Sequence, residues 1–346
     1  MAPDLDDLAA RFRRFAAREC RGLSPLYEAL AEAIAEDPDV LALAAAARPG
    51  QPVPNLFLAA VHDLLLADAG AAPLAAFYPS LTAAPAPPTA AWSAFRDFAL
   101  ARREAIAERL DARAVNTNEV GRAACLMPAF ARVARRQTRG PLHFVEIGAS
   151  AGLLLAWDRY GYDYGGGRPV WNAGAPLVLA CDLRRGAPDL DLGDDRFGRR
   201  IGIDRHAIDA RRAEDRRWLR ALVWPDQPAR LARLDAALEL LAEEPPELLA
   251  GDGVALLDEV AAGLPAGEPV CVYHAFTRNQ FDAETDRRFE ESLRRIAAGR
   301  PLAHVSLEWE AGLAPSLRLV DFASESPPML LARADAHGAW LDWLAD

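Results

Sequence analysis

The sequence contains no lysine, and arginine supplies all 39 of its basic residues. This absence excludes a Schiff-base lysine and the G-x-x-x-x-G-K-[ST] phosphate loop of nucleotide triphosphatases. The chain also lacks any run of 18 apolar residues, so no membrane span is predicted. Its first twenty residues lack the apolar core of a secretory signal peptide. We therefore expect a cytoplasmic protein that does not associate with membranes.

Cysteine is scarce, and the four cysteines lie far apart without a C-x-x-C pair. This spacing favours reduced thiols over a disulfide framework or a zinc site. No His/Cys/carboxylate arrangement has the spacing of metal ligands, so no metal is predicted. The G-x-S-x-G elbow of serine hydrolases is also missing, which disfavours that class of enzyme.

Positive charge is in short supply in the second part of the chain. The formal net charge is −11, and residues 141–346 carry all of this excess, because residues 1–140 hold equal numbers of acids and arginines. An acidic domain disfavours general binding to the phosphate backbone of nucleic acids. General nucleic-acid binding is therefore not expected, and the oligomeric state stays open.

Apolar residues at helical spacing dominate residues 1–140. Ser24 and Pro25 have the residue types of a helix cap and first turn. Further helices are predicted from Pro54, from Thr89 to about Leu110, and from about residue 117 to Arg136. The pattern predicts an all-helical N-terminal (cap) domain over residues 1–140.

Strand and helix patterns alternate over residues 141–346. Successive apolar runs predict five parallel strands, and LRLVDF and PMLLARAD predict a terminal antiparallel hairpin. The aromatic and glycine-rich residues at about 159–199 predict a β insertion. The predicted fold class is α/β, with a Rossmann-like, doubly wound, mostly parallel sheet.

The segment HFVEIGASAGLLLAWD, residues 143–158, is the most informative part of the chain. It predicts a buried strand, a turn bracketed by Gly148 and Gly152, and then a helix. Glycine permits backbone angles that a β-carbon forbids, and the free N–H groups of a first helical turn favour a polar ligand. A ligand-free strand-to-helix turn is the alternative interpretation.

The spacing E-x-G-x-x-x-G differs from the G-x-G-x-x-G of dinucleotide sites. It resembles the first motif of class I S-adenosylmethionine-dependent methyltransferases. The resemblance implies a methyltransferase-type sheet whose turn holds the methionine and ribose portions of S-adenosylmethionine. The cofactor-binding residues would then include Glu146, Gly148, Ala149 and Gly152.

Two acids at later strand ends extend this prediction. An acid after the second strand resembles the ribose-binding residue of the family, and Asp204 is favoured there over its rival Asp182. Asp252, which follows the third strand, resembles the acid that accepts the adenine amine. Both carboxylates also fit ordinary capping roles.

Three further residues are candidates for contact with the methyl acceptor. His274 lies at the end of the fourth strand and is the candidate general base, because its unperturbed pKa lies near neutrality. A hydrogen-bonded structural histidine is the alternative. Asn118 and Arg122, in the polar cluster NTNEVGR, are candidates for substrate binding, although the same cluster has the spacing of a helix start.

The chain as a whole resembles the bacterial domain-of-unknown-function family 2332. The resemblance is carried by SPLYEAL, PNLFLAAVHDLLL, NTNEVGRAACLMPA, FVEIGASAGLLLAWDRYGYDYG, IGIDRHAID, RRWLRALVWPDQPARLARLDAALEL and PPELLAGD. This family implies no activity. The expected function is methyl transfer from S-adenosylmethionine to a small polar acceptor. The alternatives are a non-catalytic nucleoside-binding or protein-interaction scaffold and a nucleotide-dependent oxidoreductase.

Overall fold

The chain divides into two compact units. The structure is a computed structural model that describes residues 4–116, 119–136, 140–166, 171–192, 197–324 and 327–345. Residues 1–117 and 212–235 form the first unit, and residues 118–211 and 236–346 form the second. The division differs from the predicted boundary at residue 140, because residues 118–140 belong to the second unit and 212–235 to the first.

The described part of the first unit is helical. Ser24 accepts a hydrogen bond from the backbone N–H of Tyr27 and Pro25 occupies the first turn, so the predicted cap is confirmed. The helix predicted from Thr89 is interrupted at Arg102 and forms two helices. The helices are α1 Leu5–Phe15, α2 Pro25–Ile34, α3 Pro38–Ala44, α4 Val53–Ala67, α5 Trp92–Ala101, α6 Arg103–Ala112 and, later in the chain, α8 Ala213–Leu222.

The second unit is built on a nine-stranded sheet of described residues. Its helices are α7 Arg122–Arg136, α10 Gly253–Ala262 and α11 Ala283–Ala297, and α9 Pro228–Glu243 carries the chain from the first unit into the second. The strands are β1 Leu142–Ile147, β2 Gly161–Asp163, β3 Val178–Ala180, β4 Asp182–Arg185, β5 Phe197–Asp204, β6 Glu247–Ala250, β7 Val270–Ala275, β8 Leu302–Glu308, β9 Ser316–Asp321, β10 Met329–Ala334 and β11 Trp340–Trp343.

Five neighbouring strands are parallel and lie in the order β6-β5-β1-β7-β8. The predicted mostly parallel α/β sheet is therefore confirmed. Successive strands are added on one side of β1 and then, from β7, on the other, so the order reverses at the β1–β7 pair. The carboxyl ends of parallel strands share one edge, and the point of reversal is where such sheets bind ligands.

Beyond β8, strands β9, β10 and β11 each run antiparallel to the strand before. Strands β9 and β10 form the predicted terminal hairpin. Strand β11 pairs with β10, and β4 from the predicted insertion adds a parallel edge strand beside β11. The other two strands of that insertion, β2 and β3, form a separate small parallel sheet.

Both faces of the parallel strands are covered. On one face, Val145, Ile203 and Val272 join a buried cluster with Leu257 of α10 and Phe289 of α11. On the other face, the Phe144 ring packs against Phe130 of α7, Trp157 and Tyr273. Buried apolar side chains on both faces leave the edges of the sheet as the places where polar chemistry can concentrate. Among the described residues, none of the helices has the length and apolar character needed to cross a bilayer.

Candidate functional site

The turn after β1 has an unusual backbone. Gly148, Ser150 and Gly152 adopt φ values of 80°, 52° and 75°, in the left-handed region that residues other than glycine seldom adopt. The backbone N–H of Gly148 donates to the carbonyl of Ile203 at 2.8 Å, which holds the turn against the end of β5. A short 3₁₀ helix, Leu153–Arg159, follows where the sequence predicted a longer helix.

The chain's own side chains pack closely against both glycines. A β-carbon at Gly148 would lie 2.3 Å from Oγ1 of Thr277 and one at Gly152 would lie 2.7 Å from Cγ of Pro246. Ala149 is buried beside them. Close packing and backbone conformation therefore already account for glycine at both positions, whether or not a ligand binds.

Asp204 lies at the end of β5 and holds the turn. Its carboxylate oxygens accept hydrogen bonds from the backbone N–H groups of Ser150 at 2.8 Å and His206 at 2.7 Å. Asp182, the rival candidate for the ribose, lies on β4 opposite Trp340 at the far edge of the sheet. The fold thus brings Asp204, and not Asp182, to the glycine turn.

Glu146 is a buried acid on β1, two residues before Gly148. Its carboxylate accepts a hydrogen bond of 3.1 Å from the Tyr273 hydroxyl of β7. Burial raises the pKa of Glu146 to about 8; the charge of Asp204 adds to the rise, while Tyr273 and Arg122 oppose it. Glu146 is thus largely protonated at neutral pH unless a cation or further donors approach it.

Arg122, at the start of α7, is buried in the same region. Its Nε donates to the carbonyl of Ala336 at 3.0 Å, and its guanidinium lies 4.3 Å from the centroid of the Phe276 ring. Phe276 itself has a φ of 57°, a strained conformation for a bulky residue. Asn118, the other predicted substrate residue, lies outside the described residues.

His274 is fully buried on the opposite face of the sheet. Its Nδ1 lies 2.6 Å from Glu308 and its Nε2 lies 3.0 Å from Nε2 of His304. A general base needs a ring nitrogen that can take a proton from a reacting group. Both nitrogens of His274 are engaged within the protein, which favours the structural alternative for this residue.

Asp252 is the N-cap of α10. It accepts from the backbone N–H groups of Val254 and Ala255, each at 3.0 Å, and forms an ion pair with Arg205. Burial acts to raise its pKa, but Arg205 and the two N–H groups outweigh burial and lower it. The predicted capping role is therefore confirmed, and the carboxylate lies at the same sheet edge as Asp204.

The sequence-based predictions omitted three residues of this edge: Phe276, Glu308 and Trp309. Phe276 follows β7, Glu308 ends β8 and Trp309 follows β8, so the strand-end rule that selected His274 would also have selected them. Their roles depend on contacts between strands. The carboxylate of Glu308, for example, accepts from the backbone N–H groups of Thr277 and Arg278.

Two surface clefts are lined by described residues of the second unit. One, of about 360 Å³, lies beside Arg136 and Asp321, and the other, of about 150 Å³, lies beside Arg159, Arg199 and Glu247. Neither cleft includes the glycine turn. Each arginine and acid just named forms an ion pair, so neither cleft presents an unpaired charge of this set to a ligand.

Comparison with known proteins identifies the family of the chain but assigns it no activity. Searches of curated proteins and of solved structures found no significant match. The profile of one protein family matches residues 9–343, nearly the whole chain. The chain therefore belongs to DUF2332, a family described as "Uncharacterized protein conserved in bacteria".

Proposed function

We propose that the second unit binds S-adenosylmethionine and transfers its methyl group to a small polar acceptor. The observation that carries the proposal is the meeting of Glu146, the glycine turn and Asp204 at the carboxyl edge, where the strand order reverses. Ligands of open α/β sheets bind at this point. The order β6-β5-β1-β7-β8 supports the finer prediction of a Rossmann-like, methyltransferase-type sheet.

The polar groups at this edge suit an adenosyl ligand that carries a cationic amine. Each oxygen of Asp204 accepts one N–H group and has a second acceptor position for a ribose hydroxyl. Asp252, between β6 and α10, would accept a hydrogen bond from the adenine amine. Glu146 would lose its proton and pair with the ligand ammonium.

Bound S-adenosylmethionine would supply an activated methyl group on a sulfonium. The protein would contribute mainly by positioning, because direct displacement needs little covalent help. Arg122 would orient the acceptor from α7. His274 would stabilise the edge rather than take a proton, because both of its ring nitrogens are engaged.

A nucleoside-binding protein without catalysis is the second candidate. The engaged nitrogens of His274 favour it, because they remove the candidate base from the proposed reaction. Binding of the cofactor without any turnover would support this candidate.

Calorimetry with S-adenosylhomocysteine tests the binding step. Wild type should release or absorb heat, and Glu146→Gln should bind roughly tenfold more weakly, because a hydrogen bond to a charged group is lost. Glu268→Gln is the matched control, since Glu268 pairs with His143 at the opposite end of the same strands. No heat with wild type, or equal affinities for wild type and Glu146→Gln, would overturn the proposal. Conversion of S-adenosylmethionine in the presence of small molecules extracted from bacteria would then separate enzyme from binder.

A further inference from the structure

One tryptophan is exposed to solvent at the carboxyl edge of the sheet. All eight tryptophans lie within the described residues, and Trp309, just after β8, is the exposed one, with 54% of its surface accessible. An indole offers a large flat apolar face together with an N–H donor, and tryptophan is enriched at binding interfaces for this reason. Leu313, on the same loop, is exposed to a similar extent.

Both chain neighbours of Trp309 are fixed by their carboxylates. On one side, Glu308 accepts from the ring of His274 at 2.6 Å and from two backbone N–H groups at 2.9 Å. On the other side, Glu310 accepts from Ser316 at 2.9 Å and from Arg318 and Arg333 at 2.6 Å. The exposed ring is therefore presented from an anchored backbone, which lowers the entropic cost of binding a ligand.

A row of contacts joins Trp309 to Arg122, the candidate residue for binding the acceptor. The centroid of the indole ring lies 5.3 Å from that of the Phe276 ring, and the Arg122 guanidinium lies 4.3 Å from the Phe276 centroid. Phe276, which contacts both Trp309 and Arg122, is the residue with the strained φ. Backbone strain of this kind is concentrated at functional sites.

We propose that Trp309 is a stacking platform for the methyl acceptor, and that the acceptor contains a planar aromatic or heteroaromatic ring. This inference rests on the proposed function and names the class of its substrate. A ring stacked on the exposed part of the indole would lie at the carboxyl edge of the sheet, next to the Phe276–Arg122 pair. Polar and apolar planar rings can both stack on an indole, because both present a π-face.

A protein partner is the less favoured occupant. One indole and one leucine side chain form a patch much smaller than a stable protein interface, which needs about 800 Å² from each partner. A rigid, isolated ring beside a polar site fits a small planar ligand better.

The test measures binding of quinoline-3-carboxamide by saturation-transfer NMR, with cyclohexanecarboxamide as the non-aromatic control, in the presence of S-adenosylhomocysteine. Wild type should bind the aromatic probe and not the saturated one. Trp309→Ala should weaken binding of the probe at least about tenfold, and Trp309→Phe should retain most of it. Leu344→Ala, which shortens another exposed apolar side chain, should bind as wild type does.

The outcomes separate this inference from the proposed function. Absence of probe binding to wild type, or equal binding to wild type and Trp309→Ala, would overturn the stacking platform, even if S-adenosylhomocysteine binds. Loss of probe binding in Trp309→Ala in a protein that never binds S-adenosylhomocysteine would support the ring site and refute the methyl-donor site. Circular dichroism checks that each variant is folded.

Discussion

The carboxylate of Glu308 lies 2.6 Å from Nδ1 of His274 and fixes that buried ring at the end of β7. The same oxygen also accepts from the backbone N–H groups of Thr277 and Arg278. One acidic side chain on β8 thus shapes the segment that carries both Phe276 and Thr277. The glycine turn packs against Thr277, so the geometry of the candidate site depends on Glu308.

Glu308→Gln should therefore lower the free energy of unfolding. Glutamine keeps one acceptor oxygen but removes the charge, and we expect a loss of about 1–2 kcal/mol at pH 7. Burial opposes ionisation of Glu308, but the hydrogen bonds from His274 and the backbone outweigh it and lower its pKa. A lowered pKa stabilises the fold above the ordinary pKa of glutamate, and this stabilisation is lost as the pH falls through the native pKa. Urea unfolding at pH 7 and pH 3 measures the difference in free energy of unfolding between wild type and Glu308→Gln, and this difference should be smaller at pH 3. An equal difference at both pH values would contradict a lowered pKa for Glu308.

Glu146 should show the opposite dependence on pH. Its native pKa of about 8 lies above the ordinary glutamate value of 4.5, so folding stability falls as the pH rises between these values. Glutamine at this position does not titrate, so the free energy of unfolding of Glu146→Gln should rise relative to wild type by up to about 4 kcal/mol between pH 5 and pH 8. Unfolding by urea across this range measures the difference. A difference between the two proteins that is flat with pH would show that Glu146 is ionised in the folded protein.

Gly148→Ala should destabilise the protein by about 2 kcal/mol or more, because a β-carbon meets Thr277 and the residue has a φ of 80°. Gly267→Ala is the matched control, since it has a φ of 74° and no atom near the added β-carbon; it reports the backbone cost alone. The double variant Gly148→Ala/Thr277→Ala should recover the steric part of the loss. Equal melting temperatures for the Gly148 and Gly267 variants would show that Thr277 is not packed against the turn.

Substitutions at Asp252 should separate its capping role from ligand contact. Asp252→Ala should lose about 1 kcal/mol of stability as the N-cap of α10, whereas Asp252→Asn should retain the cap. Both variants should bind S-adenosylhomocysteine more weakly than wild type if the carboxylate accepts the adenine amine. Wild-type affinity in a stable Asp252→Asn protein would confine Asp252 to its structural role.

Local sequence patterns predicted the parallel part of the sheet. The segment HFVEIGASAGLLLAWD predicted β1 and the glycine turn after it, and the alternation of strand and helix patterns over residues 141–346 predicted helices between the strands, as α10 is between β6 and β7. These signals lie within a few residues of one another, so periodicity and turn chemistry suffice.

Contacts between distant residues could not be predicted in the same way. Strand β4 has the charged sequence DLRR and is a strand because it pairs with β11, about 160 residues later. The engagement of His274 by Glu308 and His304 and the packing of Thr277 on Gly148 likewise join different strands. A single sequence shows which residues end strands, but it does not show which of them touch.

A crystal structure of the protein grown with S-adenosylhomocysteine tests the central claim most directly. The account predicts ligand density at the carboxyl edge beside β1 and β7, with the ribose at Asp204, the amino group near Glu146 and the adenine near Asp252. Ligand density elsewhere, or an edge that stays closed at saturating ligand with Thr277 against Gly148, would contradict it.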